Sequence, residues 1–391
     1  MRMNFGVFLS PYHGPGQNPT LAIQRDLQMM EALDALGFEE AWIGEHHSGG
    51  FELISSPEVF IAAASQRTQR LRFGTGVASV PYHHPLILAD RMVLLDHITR
   101  GRVMFGMGPG SLVTDARMLG MDYNIQRRRL EEGVGAIAHL LTNDEPLTME
   151  TDWFKLCDAR LQLSPFNPSG IELAVAAVRS PTGPRLAGRY GAGLLGVAAT
   201  DDRGGFEYLA NTWQEVESAA AEYGQSADRR SWRLIAPMHI APTLEQAIED
   251  VRYGYANQRR FESTGPFRIE GAPDIEDILA NTDHETLIHE SNARGYSVIG
   301  TPEMARKQIQ RLWDKSGGFG CLLIRMTDIA DPAATLRSLE LFARQVMPEF
   351  QGSMRRPLAS WLNMYGDRDA VGSQFRQAQD MAIAKYAEKV G

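Results

Sequence analysis

Four stretches of this 391-residue chain carry side chains able to do chemistry. The first is Glu45-His46-His47, which closes the apolar run Ala41–Gly44 and is followed by Ser48, Gly49 and Gly50. An imidazole at a strand end can give or take a proton near neutral pH. The second is "GTGVASVPYHHP", Gly74 to Pro85. Gly76 interrupts a strand there, as glycine does at a bulge or where a flat ligand comes close. His83 and His84 follow, just before Pro85. The third is "GMGPGS", Gly106 to Ser111. It lacks the spacing of a dinucleotide fingerprint but leaves room for a cofactor. The fourth is "VRSPTGPRL", where Arg179 and Ser180 end a strand and a helix begins near Pro184. Backbone amides at a helix start, beside a hydroxyl and a guanidinium, make a phosphate cradle; a plain helix cap accounts for the same residues equally well.

No metal site is expected. Adjacent histidines on a strand point in opposite directions, and the helical-turn spacing that lets two histidines share one ion is missing. The two cysteines, Cys157 and Cys321, are far apart and form no CxxC. A disulfide framework is not expected, and a reducing, cytoplasmic location is. The net charge of −9 gives no reason for nucleic acid or an anionic membrane as partner. No apolar run approaches a membrane span, and the start lacks a secretory signal.

These residues need elements to hold them. Short apolar runs alternate with helical periodicity. Strands are expected at "MNFGVFL", "EAWIG", "LRFGTGVASV", "GRVMFGMG", "IELAVAAV", "AGLLGVAA", "WRLIAPMHIA" and "FGCLLIRM". Between the first two, Ile23, Leu27, Met30 and Leu33 mark a helix face, with Thr20 as its cap and Gly37 as its end. Pro57 suits the first turn of the next helix. Eight strands in this rhythm predict an α/β fold, a (β/α)8 TIM barrel over residues 1–351. An open doubly wound sheet is the runner-up. Two stretches break the rhythm: about 143–170, read as an inserted hairpin or excursion, and 259–297, read as irregular. Residues 352–391 are expected as a C-terminal helical extension lying on the barrel or on a second subunit, in the latter case an arm for a homodimer or homotetramer.

Taken together, these motifs resemble the bacterial luciferase-like flavin monooxygenases. "WIGEHH", "RFGTGVASVPYHHPLILADRMVLLDHITRGRVMFGMGPG", "RRLEEGV", "RSPTGPRLAGRYGAGLL", "IGTPEMARKQI" and "LRSLELFARQVMPEF" carry the likeness from residue 3 to about 350. A DxxTxGR run, here Asp96, Thr99, Gly101 and Arg102, is a hallmark of that family. Within it, the stretches Gly44–Thr68 and Pro81–Val103 are most similar to limonene monooxygenase-type members.

The resemblance implies a barrel that takes up reduced FMN, reacts it with O2, and delivers one oxygen atom to a small hydrophobic substrate through a flavin C4a-hydroperoxide. It implies a separate NAD(P)H:flavin reductase. By the same resemblance His46 is the catalytic histidine and His84 a second histidine at the mouth. Gly76 and Val77 form a bulge under the isoalloxazine, often with a non-prolyl cis peptide. Ser180 and the amide of Gly183 form the phosphate turn. Two departures stand out. The arginine that luciferase sets on the phosphate after the fourth strand is replaced by Pro109, and its phosphate turn carries an acidic residue where this chain has Arg179. Arg179 is therefore expected to take over the phosphate charge. A reactive cysteine of luciferase is replaced by Gly108, so thiol chemistry is not expected. Phe51, Tyr82 and the 259–297 insert, with Phe261, Phe267, Ile275 and Leu279, are expected to keep water from the mouth. The competing reading is an F420-dependent hydride transfer on the same barrel. A further alternative is a flavin-binding subunit without catalysis.

Overall fold

In the computed structural model, residues 2–201, 204–264 and 273–390 are described. Phe267, one of the residues assigned to the mouth, lies outside them. Twelve strands run in chain order: β1 (Asn4–Tyr12), β2 (Glu40–Ile43), β3 (Arg72–Thr75), β4 (Ala78–Ser79), β5 (Val103–Gly108), β6 (Leu147–Glu150), β7 (Lys155–Ala159), β8 (Glu172–Ala177), β9 (Gly193–Gly196), β10 (Trp232–Ile240), β11 (Val298–Gly300) and β12 (Cys321–Thr327). Their connections carry α1 (Pro19–Leu36), α2 (Pro57–Ser65), α3 (Pro85–Thr99), α4 (Val113–Met118), α5 (Gln126–Thr142), α6 (Thr182–Arg189), α7 (Gly205–Glu222), α8 (Leu244–Asp250), α9 (Tyr255–Glu262), α10 (Ile275–Asn281), α11 (His284–Arg294), α12 (Pro302–Ser316) and α13 (Pro332–Gln345).

Parallel pairing follows the order β1-β2-β3-β5-β8-β9-β10-β12, and β12 pairs with β1 again. The sheet is thus a closed eight-strand barrel, which excludes the open doubly wound alternative. β11 adds to β10 outside the ring, and β4 continues the line of β3 onto β5. The 143–170 excursion contains an antiparallel hairpin, β6–β7. The compact unit formed by Met3–Val346 holds this barrel. A second unit groups Arg2 with the chain from Met347 on, which carries α14 (Met347–Gln351), α15 (Arg355–Gly366) and α16 (Arg368–Val390).

Local sequence explains most helix ends. Asn18, not Thr20, caps α1: its side chain accepts the Leu21 amide at 3.2 Å, and Pro19 supplies a first-turn residue that needs no amide partner. Gly37 closes the same helix with φ 84°. The 259–297 stretch is not irregular throughout. Asp274 and Asp283 accept the amides of Glu276 and Thr286 and start α10 and α11. Those caps are short-range signals, but the charged sequences after them show no clear apolar stripe, so periodicity hides the helices.

The barrel is plugged by Phe8, Trp42, Met104, Ala174, Leu195, Ile235, Cys321 and Leu323. Trp42 dominates it. A β-carbon on Gly74 or on Gly106 would run into the indole ring, so the wide side chain on β2 requires glycine on both β3 and β5. The indole N–H donates to Glu40 at 2.8 Å. Glu40 in turn receives Arg233 at 2.8 Å, and Arg233 also reaches Glu172 at 2.6 Å. This buried charge cluster is paired on all sides, as burial demands. The Asp96–Arg102 run ties α3 to β5. Arg102 donates to the carbonyls of Ser65, Leu71 and Thr99, and Asp96 accepts the Phe166 amide at 2.8 Å. This hallmark sits where β5 begins, at the end of the barrel that serves stability.

Candidate active site

β2 runs out at Ile43, and the next residues enter the mouth. Glu45 is buried and collects three donors: His47 Nε2 at 3.0 Å, His83 Nε2 at 2.7 Å and the Ser79 amide at 2.6 Å. Arg91 donates to His83 Nδ1 at 3.0 Å. Since arginine only donates, the His83 proton sits on Nε2, facing Glu45. Burial by itself would raise Glu45, but these hydrogen bonds outweigh it and hold its carboxyl down at about 2. His47 is raised, chiefly by its bond to Glu45.

His46 turns the other way. Its Nε2 lies 2.7 Å from Glu52 and its Nδ1 3.1 Å from Asp115. Asp115, on α4, also accepts the His47 amide at 3.2 Å and the Ser48 hydroxyl. Burial works to lower His46; the two carboxylates overcome it and raise the ring from 6.5 to about 10. Asp115 moves the opposite way, its carboxyl held low by His46 and Ser48 against the effect of burial.

The two glycines after the histidines now have a reason. Gly49 and Gly50 have φ of 87° and 72°, a left-handed pair that reverses the chain. The return segment bridges antiparallel to β1 through Tyr12 and Glu52. His13 fixes it from behind: its amide donates to Phe51 O at 2.7 Å, while its ring binds Asp26 at 2.7 Å. The reversal is what returns Glu52 to His46.

Above the Trp42 plug the inward positions of neighbouring strands are small: Gly76, Gly108 and Ala176. The Gly76–Val77 peptide is cis. A β-carbon on Gly76 would press on Phe8 and Trp42, and one on Gly108 would meet Val77 and Ala176. Small side chains here leave a flat floor, the shape an isoalloxazine needs. On the next strand end, Ser180 Oγ accepts the Thr182 amide at 3.3 Å, and α6 begins. A β-carbon on Gly183 would strike the Ala176 carbonyl, so the helix start lies tight against β8. Pro184 has no amide to offer, and among the described residues the Gly183 amide has no partner. Arg179 is exposed and precedes this helix start in the chain. An amide, a hydroxyl and a guanidinium at one strand end fit the phosphate of FMN.

His84 lies apart from the cluster. It is exposed at the start of α3, edge-on to Phe154 with ring centroids 6.1 Å apart. Its neighbour His83 is the one that joins Glu45. Next to Glu52, the rings of Tyr12, Phe51 and Phe261 pack together with centroids 5.2–5.4 Å apart. Next to them Glu262 of α9 receives Arg325 at 3.1 Å, Arg259 at 3.0 Å and the Tyr296 hydroxyl at 2.8 Å. Tyr82 accepts from Gln126 at 3.1 Å, and Ile275 and Leu279 are half-buried on α10. Sequence reasoning missed Glu52 and Asp115. Glu52 closes the same motif as the histidines and could have been suspected; Asp115 lies 69 positions from His46, with no local signal.

The family model for luciferase-like monooxygenases matches residues 3–318. Over 385 residues the chain is 46% identical to limonene 1,2-monooxygenase of Rhodococcus erythropolis, covering 98% of this chain and 96% of that one. It is 44% identical to 4-hydroxyprotoasukamycin monooxygenase of Streptomyces nodosus subsp. asukaensis, covering 92% and 95%. Among solved structures, the oxygenating constituent of 3,6-diketocamphane monooxygenase from Pseudomonas putida, in complex with FMN, aligns with TM-score 0.69 and 25% identity, covering 89% of this chain and 99% of that one. A closed barrel, a paired histidine cluster at its mouth and likeness along nearly the whole chain agree: this protein is an enzyme of the luciferase-like monooxygenase family.

Proposed function

We propose that this chain is the oxygenating component of a two-component monooxygenase that uses reduced FMN and O2 on a small, hydrophobic, terpene-like substrate such as limonene. The observation that carries this is the glycine-lined floor over the Trp42 plug, bordered by the His46 cluster on one side and the α6 start on the other. Whole-length likeness to a limonene monooxygenase supports the substrate class.

Bound there, reduced FMN would supply two electrons, so that one atom of O2 goes to the substrate and the other leaves as water. The protein does the rest. Gly76, Val77 and Gly108 would receive the ring. Ser180, the Gly183 amide and Arg179 would hold the phosphate, Arg179 supplying the charge. His46 controls a proton at the mouth, and the Tyr12–Phe51–Phe261 wall excludes water from it. His84, exposed at the start of α3, stands farther out and takes a secondary part. Such an enzyme needs a separate NAD(P)H:flavin reductase and suits a cytoplasmic location; among the described residues no helix is long and apolar enough to cross a membrane. A homodimer or homotetramer is part of the proposal: Leu358, Trp361, Leu362, Phe375 and Tyr386 of the C-terminal unit are exposed and suit a second copy.

The test is incubation with reduced FMN, limonene and ¹⁸O₂, followed by mass spectrometry. One ¹⁸O per product molecule is expected. Oxidation of the flavin at its free rate, with no labelled product, would defeat the reading and favour hydride transfer with F420.

A further inference from the structure

Both ring nitrogens of His46 face carboxylates, Glu52 at 2.7 Å and Asp115 at 3.1 Å. An ionised carboxylate only accepts hydrogen bonds, so each nitrogen must donate. Only the doubly protonated ring can donate from both. Neither carboxylate is free to leave. Asp115 is 1% exposed and is tied to the His47 amide and the Ser48 hydroxyl. Glu52 sits in the strand bridge to Tyr12, next to Phe51, which stacks on Tyr12 with planes 9° apart. The charged or titratable groups around the ring come from each element packed against it. Glu52 belongs to the loop after β2 and Asp115 to α4. His47 neighbours the ring on the same strand end, its own charge opposed by that of His46. Arg325 of β12 interacts with Glu52 from behind. Two carboxylates thus bear directly on one ring.

We propose that Glu52 and Asp115 are positioning residues that grip His46 through both ring nitrogens and keep it an imidazolium, so that it serves as a fixed cation at the barrel mouth and not as a base. This rests on the reading of His46 as the catalytic side chain. With both ring nitrogens protonated, His46 has no lone pair with which to take a proton, and its part at the mouth is that of a positive charge.

The experiment uses the full-length, flavin-free protein with ¹⁵N-labelled histidine, followed by NMR of the ring nitrogens from pH 6 to 9. The His46 signals are assigned by their loss in His46→Gln. In the wild type both nitrogens are expected to stay protonated across the range. In Glu52→Gln, and separately in Asp115→Asn, the midpoint is expected to fall by about 1–3 pH units, since each variant keeps the shape and removes one charge. Wild-type His46 titrating near its ordinary value would overturn the proposal, and that result depends on no variant. A Glu52→Gln midpoint equal to the wild type would overturn the part assigned to Glu52. Because no flavin is present, the spectrum judges the grip on His46 alone, whereas the ¹⁸O₂ experiment judges the reaction.

Discussion

Glu45 is the hub of the second half of the site, and its removal has a calculable cost. Its carboxyl is held at about 2 against an ordinary 4.5. At about 1.4 kcal/mol per pH unit, that gap corresponds to roughly 3 kcal/mol of stability. The side chain is 1% exposed, so little of this is lost to solvent screening. The sign follows from the direction of the shift. A group whose folded value is depressed stabilises the fold above its unfolded value, and the contribution disappears as pH falls from about 4.5 to about 2. Glu45→Gln removes the charge while keeping the size. At pH 7 it should lower the melting temperature by roughly 4 °C, taking about 1.4 °C per kcal/mol for a unit as long as Met3–Val346. The difference between variant and wild type should then narrow as the pH is taken from 5 to 3. Scanning calorimetry of both proteins at pH 7, 5, 4 and 3 tests this. A variant that melts with the wild type at pH 7, or a difference that stays constant down to pH 3, would refute the reasoning.

Two further substitutions probe the floor and the phosphate cradle. Gly74→Ala drives a β-carbon into the Trp42 ring, which Gly106 walls from the other side; a loss of about 1–3 kcal/mol is expected in denaturant unfolding, and unchanged stability would mean that the plug is looser than drawn. Arg179→Gln should weaken FMN binding by about 10–100-fold, the worth of a hydrogen bond to a charged group, and leave riboflavin binding unchanged. Fluorescence titration with the two flavins separates them, and equal losses for both would remove Arg179 from the phosphate.

The barrel was legible because its signals are local. Each ring strand is a short apolar run between turn residues, and eight such runs with helices between them close a barrel. The floor was partly legible too. Gly76 stands out as a glycine inside a strand, but its neighbours Gly74 and Gly106 answer to Trp42 on another strand, and no spacing along the chain announces that. The DxxTxGR run shows the opposite case. As a family mark it is visible at once, yet its work is done at the α3–β5 turn, where Arg102 joins three carbonyls at the start of β5.

The histidine pair shows where sequence reasoning stops, and why. Strand alternation is the ground on which a shared metal ion is unexpected for His46 and His47; the two lie past the end of β2 and meet different partners. Alternation says nothing of what each will meet. His47 meets Glu45, two residues back in its own stretch of chain. His46 meets Glu52 only because two left-handed glycines fold the loop back, and Asp115 only because α4 caps the mouth after a different strand. The type of residue suggests a group that titrates near neutrality; the company it keeps makes it a cation. Charge state at such a site is a property of tertiary structure, because two carboxylates within hydrogen-bonding reach outweigh both the intrinsic value of an imidazole and the cost of burying its charge.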